Sequence, residues 1–159
     1  MYKKLLVFLF ILQICASCGF TPIYKMSTNE NYSPKIHYNI SETASYEVRQ
    51  LINENLVSVE LYKAEFEVNI KINEKQSAVN ILANGDVSEY RIEVLISFEI
   101  INIQDQVLLY KSQSRGFANY DVNNSEYNNN LVKKEALRNA TSDAIQLMKT
   151  IIQSRNNDQ

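Results

Sequence analysis

Residues Ser88–Ile103 read SEYRIEVLISFEIINI. In an extended chain, Tyr90, Ile92, Val94, Ile96, Phe98 and Ile100 fall on one side, and Arg91, Glu93, Leu95, Ser97 and Glu99 on the other. Alternation sustained this long describes a strand with one face on a core and one in water. A strand wetted on one side belongs to an antiparallel sheet that is covered on one face only. Just upstream, Ala83–Asp86 (ANGD) is a hairpin signal, because Asn-Gly accepts positive φ at both turn positions. The strand on the far side of that turn is EFEVNIKIN (Glu65–Asn73). There Phe66, Val68, Ile70 and Ile72 alternate with Glu67, Asn69, Lys71 and Asn73, and the pattern weakens through Val79 and Ile81. Downstream, Gln104–Gln106 (QDQ) marks a second tight turn. A further strand follows over about Val107–Ala118, and its phase is ambiguous because Val107, Leu108, Leu109 and Tyr110 are all apolar.

Helical spacing flanks these three strands. Ala44, Val48, Leu51, Ile52, Asn55 and Leu56 recur on one helix face, with Ser41 or Thr43 as cap and with Glu47, Arg49, Gln50 and Glu54 outside. The Asn-rich stretch VNNSEYNNN (Val122–Asn130) reads as a surface loop leading into a long helix over about Glu126–Ser154. Its stripe is Leu137, Ala140, Ala144, Met148 and Ile151, widened by Ile145 and Ile152, with Lys133, Lys134, Glu135, Arg138 and Asp143 outward. Ahead of the first helix, KIHYNI (Lys35–Ile40) places Ile36, Tyr38 and Ile40 on one face of a short strand. A helical crossover joins it to the next strand, which puts the two parallel, or at least in one sheet. The predicted fold class is α+β: a two-layer sandwich in which a four-stranded, mostly antiparallel mixed sheet is covered by two helices, in the order β-α-β-β-β-α.

The N-terminus has a different logic. Lys3 and Lys4 precede an apolar run, Leu5–Ile14, interrupted only by Gln13. Ten helical residues rise about 15 Å, half of a bilayer core, so the run fits the apolar region of a secretory signal peptide and not a spanning helix. Both cysteines of the chain follow, Cys15 and Cys18. Small residues Ala16 and Ser17 stand directly before Cys18, as a bacterial lipoprotein signal requires, whereas bulky Ile14 precedes Cys15. Cleavage after Ser17 is expected, with a diacylglyceryl group on the Cys18 thiol and an acyl group on its new amine. Several acyl chains on one residue anchor far more firmly than one. A disulfide or CxxC metal pair would need both thiols in the mature chain, and no second pair of thiols exists. Gly19, in place of the Asp that retains lipoproteins at the inner membrane, favours the outer membrane. The predicted organisation is a signal peptide over 1–17, a lipidated tether over 18–34 that holds both prolines (Pro22 and Pro34), a globular domain over 35–154, and a frayed tail over 155–159.

The chain is 45% hydrophobic with 3 Gly and 2 Pro, which argues against a loop-rich or disordered protein. Its formal charge of −2 falls two units further once Lys3 and Lys4 are removed, and no basic stripe is present, so nucleic acid is not an expected partner. His37 is the sole histidine, on the outward face of a short strand, and there is no glycine-rich phosphate loop and no HExxH. The expectation is a protein that is not an enzyme and carries no cofactor beyond the acyl groups on Cys18. Tyr90 and Tyr110 read as core or sheet-edge residues, and Tyr120 and Tyr127 as loop residues open to a partner.

Three segments together resemble the LptE family, the lipopolysaccharide-assembly lipoproteins of Gram-negative bacteria. CGFTPIY (Cys18–Tyr24) is similar to the CGF-x-P-L-Y opening common in alphaproteobacterial members. NGDVSEYRIEVLISFEI (Asn84–Ile100) resembles the family's central hairpin. SRGFANYDVNNSEYNNNLVKKEALRNATSDAIQLM (Ser114–Met148) resembles its last strand, polar loop and final helix. The resemblance implies an outer-membrane lipoprotein, facing the periplasm, that inserts in the lumen of an LptD-type barrel, assists its assembly and takes part in delivering lipopolysaccharide to the outer leaflet. It also implies contact with lipopolysaccharide itself. An anionic lipid calls for Lys or Arg, and the candidates for lipid or barrel contact are Arg91, Lys111, Arg115, Lys133, Lys134 and Arg138. The hairpin loop, where family members can carry a basic residue, here holds Ala83, Asn84, Gly85 and Asp86. The residues alone leave a second reading open: another outer-membrane accessory or ligand-binding lipoprotein of an envelope transport system.

Overall fold

A computed structural model describes residues 35–41, 43–122 and 125–156. The expected signal peptide, Cys15, Cys18, the tether over 18–34 and residues 157–159 lie outside the described residues. Strand β1 spans Ile36–Ile40, helix α1 Tyr46–Asn55, β2 Phe66–Ile81, β3 Val87–Asn102, β4 Leu108–Asp121 and helix α2 Glu126–Asn156, with one 3-10 turn at Leu61–Lys63. The strands form a single sheet in the order β1-β2-β3-β4. β1 runs parallel to β2, as the helical crossover requires, and the β2–β3 and β3–β4 pairs are antiparallel. The α+β fold, element order and mixed sheet are those expected.

One apolar cluster joins the layers. Val68 and Ile70 from β2, Val94, Ile96 and Phe98 from β3, Val48 and Ile52 from α1, and Ala140, Ala144, Ile145 and Met148 from α2 are all buried in it. The alternation of β3 thus places its apolar set under both helices. Tyr90 and Tyr110 pack against this cluster half-buried. β4 resolves its ambiguous phase in a way that apolar alternation does not show. Its inward residues are Tyr110, Ser112, Ser114, Gly116, Ala118 and Tyr120. They are small in the middle because α2 approaches there closely: a Cβ on Gly116 would lie 1.9 Å from the Ala140 carbonyl oxygen.

Several expectations need correction. The cap of α1 is Ser45, not Ser41 or Thr43, and its side chain makes no capping bond. Its N–H instead donates to Glu74 Oε1 at 2.7 Å, while the Ser41 and Thr43 hydroxyls bond each other. Ala44 is buried in the lead-in, so the helix starts after it. Arg49, expected outside, is half-buried, and Asn55, expected on the apolar stripe, is exposed. In α2 the deepest positions include Ala136 and Thr141, while Leu137 and Ile151 flank them half-buried. The β2–β3 loop has positive φ only at Gly85 (90°). Gly85 N–H donates to Leu82 C=O at 2.9 Å and Leu82 N–H to Asp86 C=O at 2.8 Å. This is the three-residue hairpin loop with its left-handed residue last, not the two-residue Asn-Gly turn.

Thr141 and Ser114 are the buried polar residues among those described, and they differ. Thr141 Oγ1 donates to Leu137 C=O at 2.7 Å, whereas Ser114 Oγ is buried without a partner. A buried hydroxyl with no partner retains its desolvation cost. Ser114→Ala is therefore expected to leave stability unchanged or raise it by up to about 1 kcal/mol, read as an upward shift of the urea midpoint at constant slope.

Candidate interaction surface

The sheet face turned away from the helices is mostly polar, with Leu95, Leu109 and Phe117 as apolar exceptions on β3 and β4. At the β1 side, Asn39 Nδ2 donates to Asn69 Oδ1 at 2.9 Å. His37 is half-buried on this face, and its Nδ1–H donates to Val59 C=O at 2.8 Å, which gives the imidazole a structural role. Between β3 and β4, Glu99 and Lys111 are register partners, with Nζ–Oε1 2.6 Å apart. The Lys111 ammonium, bonded to the Glu99 carboxylate, and more weakly Lys71 hold the Glu99 pKa below the ordinary carboxylate value. Arg115 Nε reaches diagonally to Glu93 Oε1 at 3.0 Å. Arg91 Nε donates to Asn119 Oδ1 at 3.0 Å, and Asn119 Nδ2 in turn donates to Glu89 Oε1 at 2.8 Å. The Arg91 guanidinium also lies 6.0 Å from the centre of the Phe117 ring. Exposed pairs of this kind, screened by solvent, contribute little to stability. Their effect is to fix side-chain positions and to cancel charge across the face.

The six candidate cations fall into two groups. Arg91, Lys111 and Arg115 lie on the open sheet face, each held by a partner on the neighbouring strand. Lys133, Lys134 and Arg138 are exposed on α2, in the helical layer. Lys134 and Arg138, one turn apart, rim a groove of about 710 Å³ between α1 and α2, whose walls include Tyr46, Leu51 and Leu131. No single patch gathers all six.

The two tyrosines assigned to the loop are both relocated. Tyr120 is in β4, 9% exposed. Its ring stacks on Tyr90 with centroids 5.6 Å apart, and its hydroxyl accepts from Gln76 Nε2 at 2.8 Å. Burial, and after it the neighbouring Tyr90, push its phenol pKa up. Tyr127 is in the first turn of α2 and is well exposed. The inter-helix groove was not found by sequence reasoning, because the period of each helix fixes its own buried face and not the gap between two helices. Among the described residues, no three of His, Cys, Asp or Glu are grouped to hold a metal ion, and no helix is long and apolar enough to cross a membrane.

Comparison with protein-family models and with curated proteins gives no match. Solved structures share the fold. A candidate lipoprotein from Caulobacter crescentus superposes with a TM-score of 0.62 at 12% identity, over 78% of this chain and 91% of that one. A minor lipoprotein from Acinetobacter baumannii gives 0.58 at 13% identity, over 79% and 96%. Lipoprotein B from Nitrosomonas europaea gives 0.55 at 11% identity, over 72% and 79%. At these identities the likeness establishes a common fold.

Proposed function

We propose that this chain is an outer-membrane lipoprotein, anchored through Cys18, that occupies the lumen of an LptD-type barrel, assists its assembly and takes part in lipopolysaccharide transport. The supporting observation is the open sheet face. Between β3 and β4 its charges are cross-paired by Glu99–Lys111, Glu93–Arg115 and Arg91–Asn119–Glu89. A surface that is mostly polar and internally neutralised suits the polar interior of a large barrel, where an apolar face would not be wetted and an unbalanced one would be repelled. The LptE-like motifs and the lipoprotein signal point the same way, and proteins with the same fold include bacterial lipoproteins. If lipopolysaccharide phosphates are met directly, Lys133, Lys134 and Arg138 are better placed than the sheet cations, which are already engaged by carboxylate or amide partners.

A tagged full chain, extracted in mild detergent from its native outer membrane, is expected to co-elute with one large β-barrel protein, and depletion of the chain to reduce surface lipopolysaccharide. Recovery as a lone monomer would overturn the plug. The groove between α1 and α2 favours a second reading, a ligand-binding lipoprotein of another envelope system. That reading gains if depletion leaves surface lipopolysaccharide intact.

A further inference from the structure

The geometry points to one end of the sheet as a bilayer-contacting surface of the anchored chain before a barrel encloses it; the proposal rests on the lipid-anchor reading of Cys18 and not on the barrel reading. Register fixes what that end contains. Ile36 pairs with Phe66, Phe66 with Asn102, and Ile101 with Leu108, so the starts of β1, β2 and β4 and the close of β3 stand side by side. The segment around the 3-10 turn is bound to the same end. Val59 N–H donates to Ile36 C=O at 3.0 Å, Glu65 N–H to Lys35 C=O at 2.8 Å, and Ile103 N–H to Glu65 C=O at 3.1 Å. Six large apolar side chains are presented here: Val57, Leu61, Tyr62, Val107, Leu108 and Leu109, each between 45% and 88% exposed. The 3-10 turn buries none of its residues, so Leu61 and Tyr62 do not serve the core. Val57, Leu61 and Tyr62 flank the β1 edge of this end and Val107–Leu109 its β4 edge, and large apolar exposure gathered at one end of a sheet marks a contact site.

Two observations choose a lipid bilayer as the occupant. The first is connectivity. The chain enters the domain at Lys35, on this same end, and Cys18 precedes it by no more than about 60 Å of fully extended chain. An anchored domain therefore meets the membrane surface at high effective concentration, and the end where the tether enters reaches that surface with the least extension of the tether. The second is side-chain chemistry. Lys63 Nζ lies 4.9 Å from the centre of the Tyr62 ring and 2.7 Å from Glu60 Oε2. A tyrosine beside a lysine, next in sequence to exposed Leu61, is the arrangement that seats at the headgroup boundary, ring and aliphatic stem inward and ammonium toward the headgroups. The opposite end of the sheet provides a control. The β2–β3 hairpin also exposes apolar side chains, Val79, Ile81 and Leu82, but a 16-residue β2 separates the ends by about 50 Å. Both cannot rest on one bilayer surface in an end-on pose.

The chain has no tryptophan, so single substitutions report without background. Tyr62→Trp and Ile81→Trp variants of the full chain, processed in a Gram-negative host, are reconstituted on phosphatidylethanolamine–phosphatidylglycerol vesicles with brominated acyl chains. Both are expected to float with the vesicles. The Tyr62→Trp variant is expected to show blue-shifted emission quenched by the brominated lipid, and the Ile81→Trp variant to emit as in water, unquenched. Failure of both to float removes the anchor reading and the proposal with it. Flotation without quenching of the Tyr62→Trp variant, or stronger quenching of the Ile81→Trp variant, overturns the end-on contact while the anchor stands. A blue shift without bromolipid quenching assigns the patch to a second copy of the chain and equally overturns it.

Discussion

Gly116→Ala is expected to destabilise the domain by about 3 kcal/mol or more, at and beyond the upper end of ordinary overpacking. The added Cβ would stand 1.9 Å from the Ala140 carbonyl oxygen, 2.8 Å from the Ala144 nitrogen and 2.9 Å from the Ala140 carbonyl carbon. All three are backbone atoms of α2, so no rotamer change clears the space. Relief requires α2 to lift from β4, and with it Ala140, Ala144, Ile145 and Met148 from the core. Gly116 has no positive φ, so its requirement is for room and not for backbone freedom. Gly85 is the opposite case: nothing lies within 4 Å of its virtual Cβ, but its φ is +90°. Gly85→Ala is strained by conformation alone, at roughly 1 kcal/mol. Total stabilities of single domains are about 5–15 kcal/mol. A urea titration of the two variants should therefore separate a large drop in midpoint from a small one, and a Gly116→Ala midpoint equal to that of Gly85→Ala would contradict the close helix–strand contact.

The same contact explains where sequence reading stopped. β3 was legible because its inward residues, Ile92, Val94, Ile96 and Phe98, lie under helices at ordinary distance and are large and apolar. β4 was not, because close approach selects small side chains, and Ser112, Ser114, Gly116 and Ala118 carry no apolar period. On α2 the same proximity moved the deepest positions to Ala136, Ala140 and Ala144 and left the larger Leu137 and Ile151 at the margin. Apolar periodicity measures transfer from water, and here shape decides. The outer part of β2, expected to continue through Val79 and Ile81 and found to do so, gave only a weak signal for another reason. Beyond Glu74 it continues as strand through Gln76, Ser77 and Ala78, all exposed, held by pairing to β3 and with no core beneath it. The cations divided likewise. Alternation put Arg91 on the wet face, but which carboxylate meets Lys111 or Arg115 is set by the β3–β4 register, which the Gln104–Gln106 turn alone does not specify.

Phe98→Ala is expected to cost about 3–5 kcal/mol, the range for emptying an aromatic site in a core. Phe98 is 1% exposed and is the largest of the fully buried side chains among those described. Its strand neighbours are Ile70 on β2 and Ser112 on β4. The ring lies 6.4 Å from that of Tyr110 at an interplanar angle of 57°, a tilted pair. Ser112 cannot expand into the space left by truncation, and Tyr110, half-buried at the margin, loses its aromatic neighbour, so collapse is limited on the β4 side. Phe117 is the matched comparison. It lies one strand away on the opposite face, 47% exposed, with Arg91 as its ring contact. Phe117→Ala should cost about 0.5–1 kcal/mol, because less area is withdrawn from water and no cavity forms. Thermal unfolding followed by circular dichroism would rank the two. Equal losses would mean that both faces of the sheet are covered, and a sheet covered on both faces has no open polar surface to set against a barrel wall.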